Sequence, residues 1–335
     1  MGICRHNRRE FLGKVAVGVT GASLGFSLRD SALARTGEMP MRTLGRHKEK
    51  VSLIGLGGYH IGNAADEQAA IRLVRTAIDN GITFMDNCWD YHDGKSEVWM
   101  GNALRDGYRK KVFLMTKIDG QTREAASKQI EESMRRLQTD VIDLMQFHEI
   151  VRPGDPQRIF TAGGMEAVLE AKKAGKIRYI GFTGHKSPEF MLSMIEMGKK
   201  HGMIFDAVQM PLSALDHHFK SFEKEVLPVL VKDGTGVLAM KTLSFGNIFK
   251  TNTLTATEAH HYAMNLPVSV VITGMETMER VDQALATART FKPMRKKDVG
   301  ALLAKTSAPA AKGEFEPFKT SDMFDGTAHN PQWLG

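Results

Sequence analysis

The sequence predicts an α/β fold, a (β/α)8 TIM barrel. Three observations carry that expectation. Eight short runs rich in β-branched and aromatic residues lie between Val51 and Gly274. Stretches with apolar residues three and four apart alternate with them, the pattern of amphipathic helices. Early runs recur about every 30 residues, the length of one strand–helix unit in a parallel barrel.

In chain order the strand candidates are VSLIGLG, GITFMD, VFLMTK, VIDLMQFH, IRYIGFT, FDAVQM, GVLAMK and VSVVITG. Ile71, Val74 and Ile78 stripe the first intervening helix, which Gly81 stops. Ile130, Met134 and Leu137 stripe another. Val168 and Leu169 are expected to face inward in a third, closed by Gly175. Ser187-Pro188-Glu189 opens the next with an N-cap serine and a first-turn proline. A doubly wound open sheet would usually announce a glycine-rich phosphate turn after its first strand. Gly55-Leu56-Gly57-Gly58 lacks that spacing. The barrel is expected over residues 35–304. Residues 305–335 read as a non-repeating extension whose aromatics, Phe315, Phe318, Phe324 and Trp333, favour packing on the barrel.

The bulk composition fits a globular protein: 335 residues, 42% hydrophobic and 25% charged. Part of the net charge of +7 sits in the first 34 residues, where Arg5, Arg8, Arg9, Lys14 and Arg29 outweigh Glu10 and Asp30. No basic run is long enough to suggest a nucleic-acid partner. The cysteines are Cys4 and Cys88, so neither an internal disulfide of a trimmed chain nor a cysteine metal site is expected. The segment Asn7-Arg8-Arg9-Glu10-Phe11-Leu12, the weakly apolar stretch after it and Ala32-Leu33-Ala34 together resemble a twin-arginine export signal over residues 1–34. That resemblance implies the twin-arginine machinery as a partner, a mature chain starting near Arg35, and a periplasmic or exported location. If the signal is not used, the location is cytoplasmic. The stretch is too short and glycine-rich to span a membrane stably, and no other segment approaches spanning length.

Polar residues close three successive runs: Asp86 and Tyr91 after ITFMD, Lys117 in VFLMTK, and His148 in VIDLMQFH. In a parallel barrel the carboxyl ends of the strands converge on one mouth. A carboxylate, a phenol, an amine and an imidazole would meet there, a set sufficient for proton transfer to a carbonyl oxygen. Taken singly, Asp86–Lys117 also reads as a buried ion pair and His148 as a satisfied core histidine.

From about Met41 to Pro293 the chain resembles the aldo-keto reductase superfamily. The resemblance rests on MRTLGRHKEKVSLIGLGGYHIG, FMDNCWDYHDGKSEVWMGNAL, FLMTK, DLMQFH and GKIRYIGFTGH. It implies an NAD(P)-dependent oxidoreductase that moves a hydride between its cofactor and an aldehyde, ketone or alcohol, with Asp86, Tyr91, Lys117 and His148 as catalytic tetrad. A proton donor aimed at the carbonyl oxygen lowers the barrier. A free phenol, with pKa about 10, is a poor donor at neutral pH. Lys117 is expected to lower it, Asp86 to hold Lys117, and His148 to orient the carbonyl.

The resemblance also implies cofactor contacts at Gly58, Tyr59, Thr183, Gln209, Met240, Lys241, Thr242, Gly274, Arg280 and Gln283. Gly184 stands where the family places an asparagine, and Met240 where an aromatic often stacks on the nicotinamide. Arg280 matches an arginine that grips an adenosine 2′-phosphate, whereas Glu276 would repel one. NADP(H) is the implied cofactor, with NAD(H) left open. His60 and Trp89 are the expected substrate walls. Cys88 is expected to pack into the barrel wall. Asp90, His92 and Asp93 are expected to be solvated, and His185, His217 and His218 to be ordinary loop histidines. Two rival functions stand beside the enzyme: a non-catalytic cofactor-binding or regulatory module, and a metal-dependent hydrolase or isomerase using His60 and His148. The latter lacks a His-x-His pair on its first strand, so no metal is expected.

Overall fold

The computed structural model describes residues 37–335. The expected leader over residues 1–34, Cys4 and the cleavage point near Arg35 lie outside the described residues.

Each expected run contains a barrel strand, and the first run also contains part of a hairpin strand. An antiparallel hairpin, β1 (Met41–Thr43) and β2 (Lys50–Ser52), comes first, with Met41 opposite Ser52. The barrel strands are β3 (Ile54–Leu56), β4 (Phe84–Met85), β5 (Phe113–Ile118), β6 (Ile142–Phe147), β7 (Ile177–Thr183), β8 (Ala207–Pro211), β9 (Gly236–Met240) and β10 (Val270–Thr273). They pair in parallel in chain order, and β10 closes on β3. The run VSLIGLG is therefore two strands. Ser52 Oγ donates to the Ile54 carbonyl at 2.7 Å and the Ser52 N–H to Thr83 Oγ1 at 2.9 Å, which turns the chain from hairpin into barrel at Leu53. The hairpin plugs the amino-terminal end. Leu44 and Val51 are buried with the barrel interior, which Phe84, Phe113, Met115, Leu144, Leu238 and Val270 fill. Filling by side chains of several strands makes this a packed core and not a pore.

The helices are α1 (Gly58–Ile61), α2 (Glu67–Asp79), α3 (Lys95–Ala103), α4 (Arg123–Leu137), α5 (Asp155–Thr161), α6 (Gly164–Lys173), α7 (Pro188–Lys200), α8 (Phe222–Glu225), α9 (Leu227–Lys232), α10 (Ala256–Asn265), α11 (Met278–Thr290) and α12 (Lys296–Ala310). Ser187 caps α7, its hydroxyl accepting from the Glu189 N–H at 3.2 Å. Leu169 corrects the sequence reading, being 46% exposed. The core stripe of α6 runs through Met165, Val168 and Ala171, and the next residue along a helix lies about 100° away from its neighbour. In α2, Leu73, Val74, Ala77 and Ile78 take the core face and Ile71 is only half-buried. No helix among the described residues is long and apolar enough to cross a membrane.

Helix α12 runs through the expected boundary at 304/305, so the separate segment begins after Ala310. Short helices α13 (Pro317–Thr320) and α14 (Gly326–His329) follow. This segment crosses the carboxyl mouth loop by loop. Its Phe315 carbonyl accepts from Ser244, after β9. Lys319 reaches Asp216 and the Phe219 carbonyl, after β8, at 2.6 and 2.7 Å. Asp325 meets His185 and Lys186, after β7, at 3.0 and 2.6 Å. The Thr327 N–H donates to Glu149, after β6, at 2.8 Å. The Leu334 carbonyl accepts from the Gln121 N–H, after β5, at 2.9 Å.

Candidate active site

The turn after β4 builds the centre. Asp86 leaves the strand, and the Trp89 N–H donates to the Lys117 carbonyl at 2.9 Å, fixing this loop to β5. His92, Asp93 and Gly94 then adopt left-handed φ values of 54°, 57° and 85°, which turn the chain sharply into α3. Lys117 is buried. Its ammonium binds Asp86, donates to the Asn87 carbonyl at 2.7 Å, and lies 3.1 Å from Tyr91 Oη. His148 meets Tyr91 edge-on, with ring centroids 5.8 Å apart. The four residues of the expected tetrad therefore share one site.

The electrostatics differ from the expectation at Tyr91. Burial, followed by the Asp86 charge, pushes its phenol well above the usual value. The Lys117 ammonium, 3.1 Å from Tyr91 Oη, does not outweigh burial and the Asp86 charge. Tyr91 thus holds its proton at neutral pH. Burial also pushes the Asp86 carboxyl up, against the pull of Lys117. Burial lowers His148 despite the charge of Asp90, which favours the neutral imidazole.

The expected cofactor residues fall around the same mouth. Thr183 and Gln209 are buried neighbours in the β7–β8 register. Gln209 Oε1 is buried without a hydrogen-bond partner, an acceptor that a carboxamide N–H would satisfy. Gly58 opens α1 with no room for a side chain, since a Cβ would lie 2.3 Å from the Asp86 carbonyl oxygen. Tyr59 stands edge-on to Tyr91 at 5.4 Å. Gly184 cannot become the asparagine of the family pattern without repacking: a Cβ there would meet Met191 Sδ at 2.4 Å and the Ile150 carbonyl oxygen at 2.8 Å. Met240 ends β9 half-buried. Lys241 lies 5.3 Å from the ring centroids of both Phe245 and Phe318. Thr242 Oγ1 lies 3.0 Å from His260 Nδ1. Gly274 makes room for His60, whose ring would sit 2.5 Å from a Cβ there. Arg280 is exposed in the first turn of α11 and donates to Gln283 Oε1 at 2.7 Å.

Several side chains lie elsewhere than expected. The Trp89 indole donates to Glu132 at 2.7 Å and packs edge-on to Trp333 at 5.9 Å, so it braces α4 and the crossing segment. His92 is half-buried and bonds the Tyr59 carbonyl at 2.7 Å. His185 is buried against Asp325, and burial lowers its pKa to about 4. Asp90 is buried, not solvated. Cys88 does not merely fill the wall, because its Sγ lies 3.3 Å from His148 Nδ1. Sequence reasoning also missed Asp119, 3.0 Å from His148 Nδ1, and Gln146, whose amide oxygen and nitrogen are both buried without hydrogen-bond partners. Strand alternation could have found both, since Asp119 stands two residues after Lys117 and Gln146 two before His148.

The fold and site define a (β/α)8-barrel protein with an aspartate, tyrosine, lysine and histidine at one mouth. The chain matches the Aldo/keto reductase family over residues 53–260, more than half its length, and belongs to that family. It is 31% identical over 223 residues to the uncharacterized oxidoreductase YrpG of Bacillus subtilis (strain 168), covering 61% of this chain and 66% of that protein. It is 27% identical over 234 residues to aldo-keto reductase AFTS1 of Alternaria alternata, covering 58% and 62%. The chain thus spans just under two thirds of the length of these curated relatives. The solved structure of aldo-keto reductase AKR11C1 from Bacillus halodurans, in its holo form, superposes with a TM-score of 0.69 at 22% identity, covering 80% of this chain and 96% of that one. At that identity the likeness is one of fold.

Proposed function

We propose that the protein is an NAD(P)(H)-dependent oxidoreductase of aldehydes, ketones or the corresponding alcohols, with Tyr91 as the group that gives and takes the proton. One observation carries this reading: the buried Lys117 ammonium lies 3.1 Å from Tyr91 Oη while bound to Asp86. A nicotinamide cofactor supplies the hydride when bound. Thr183 and the unpartnered Gln209 Oε1 would hold its carboxamide. Tyr91 keeps its proton until charge develops on the carbonyl oxygen, then releases it, and Lys117 stabilises the tyrosinate left behind. Exposed Arg280 favours NADP(H) over NAD(H), with Glu276 opposing it.

The test is a fluorescence titration of the chain with NADPH and NADH, followed by a carbonyl screen. Saturable binding with turnover that Tyr91→Phe removes supports the enzyme. Binding without turnover on any carbonyl would favour the non-catalytic module, the reading that the missing asparagine at Gly184 and the methionine at 240 support. The Arg8-Arg9 segment leads us to propose export through the twin-arginine machinery. Fractionation of Arg8→Lys/Arg9→Lys against the parent tests it, and equal cytosolic retention of both would refute export.

A further inference from the structure

Behind the tetrad histidine, four side chains of different chemistry converge. Cys88 and Asp90 come from the turn after β4, Asp119 from the end of β5 and His148 from the end of β6. Their Sγ, carboxylate oxygens and Nδ1 all lie within 4.8 Å of one another. His148 Nδ1 is 3.3 Å from Cys88 Sγ, 3.0 Å from Asp119 Oδ1 and 3.6 Å from Asp90 Oδ1. Metal–ligand bonds of 2.0–2.3 Å set tetrahedral edges of about 3.3–3.8 Å, so small adjustments bring these atoms onto one sphere. The Asp90 side chain is more than nine-tenths buried, yet its Oδ1 has no hydrogen-bond partner. Its nearest cationic partner is the His148 ring at 3.6 Å, and one buried imidazole does not supply the counter-charge that two buried carboxylates need.

We infer that Cys88, Asp90, Asp119 and His148 form a binding site for one divalent transition-metal ion of the Zn2+ class. A thiolate, an imidazole and two carboxylates form a borderline donor set, which suits Zn2+, Co2+ or Fe2+ better than Ca2+ or Mg2+. Binding would expel the thiol proton. An ion on Nδ1 would also leave the imidazole proton on Nε2, the tautomer that can donate a hydrogen bond to a substrate oxygen. Metal binding here would run against the expectation of no metal, and the site does not depend on the chain being a reductase.

The probe is Co2+ added to the chelator-stripped full chain. The expected result is one Co2+ per chain, with a thiolate-to-cobalt charge-transfer band and the intense visible bands of a tetrahedral ion, both displaced by Zn2+. Cys88→Ser should remove the charge-transfer band, which separates Cys88 from Cys4. Asp90→Asn should weaken Co2+ binding by at least about tenfold. A wild-type chain that binds Co2+ no more tightly than Cys88→Ser, or gives no charge-transfer band, would overturn the assignment. Because the readout is the spectrum of the wild-type protein, poor folding of a variant cannot rescue it.

Discussion

Lys319 and Asp216 lie 2.6 Å apart with neither side chain reaching solvent. Glu316 joins them at 3.1 Å from the same ammonium, equally buried. This three-charge cluster fastens the segment after α12 to the loop after β8. One cation facing two carboxylates leaves a surplus of negative charge, which burial disfavours.

Replacing Lys319 by methionine keeps the length of the side chain and strands both carboxylates. Removing one partner of a buried pair costs about 3–5 kcal/mol. The variant should unfold at clearly lower urea concentration than the parent, and an unchanged midpoint would show that the crossing segment adds nothing to the cooperative unit.

The same cluster predicts a pH dependence. Burial raises the Glu316 carboxyl to about 7, whereas an unfolded glutamate titrates near about 4.3. Between these values the folded state binds the extra proton, so the contribution of Glu316 to stability falls as pH rises through that window. Urea midpoints at the two ends should differ more for the parent than for Glu316→Gln. Equal slopes would mean that Lys319 keeps Glu316 ionised throughout.

Tyr91→Phe deletes only the hydroxyl that faces Lys117. If the phenol is the proton donor, kcat should fall by at least about 100-fold while cofactor affinity stays within a few-fold. Loss of both together would place Tyr91 in the cofactor cradle instead.

Gly184→Asn restores the family residue in a place that has no room for it. Overpacking of this kind costs about 1–3 kcal/mol. The variant should be less stable without binding cofactor better. Adding Met191→Ala removes the sulfur 2.4 Å from the introduced Cβ but leaves the Ile150 carbonyl oxygen at 2.8 Å and empties a buried core position, so the double variant should be no more stable than the single one. Thermal melts of the single and double variants check both steps.

The eight strands were legible because their apolar and β-branched runs are short and well separated. The meeting of Asp86, Tyr91, Lys117 and His148 was legible because strand ends of a parallel barrel share one mouth. Leu169 was misread because apolar character alone does not say which of two adjacent helical positions faces in. Asp90 was misread, and the contact of the buried Cys88 with His148 was missed, for a different reason. In the irregular turn after β4 no period fixes side-chain direction, so only the folded turn could show that both reach the Nδ1 side of His148. The path of residues 315–334 was illegible because its anchors, Asp216, His185, Glu149 and Gln121, are all distant in sequence.

That path has a consequence for the order of assembly. The eight strands can pair as they leave the ribosome, but the loops after β5 to β9 gain their last fastenings only when residues 315–334 have emerged. A nascent chain stalled before Phe315 would carry a barrel with an unfinished mouth, whatever the state of its core.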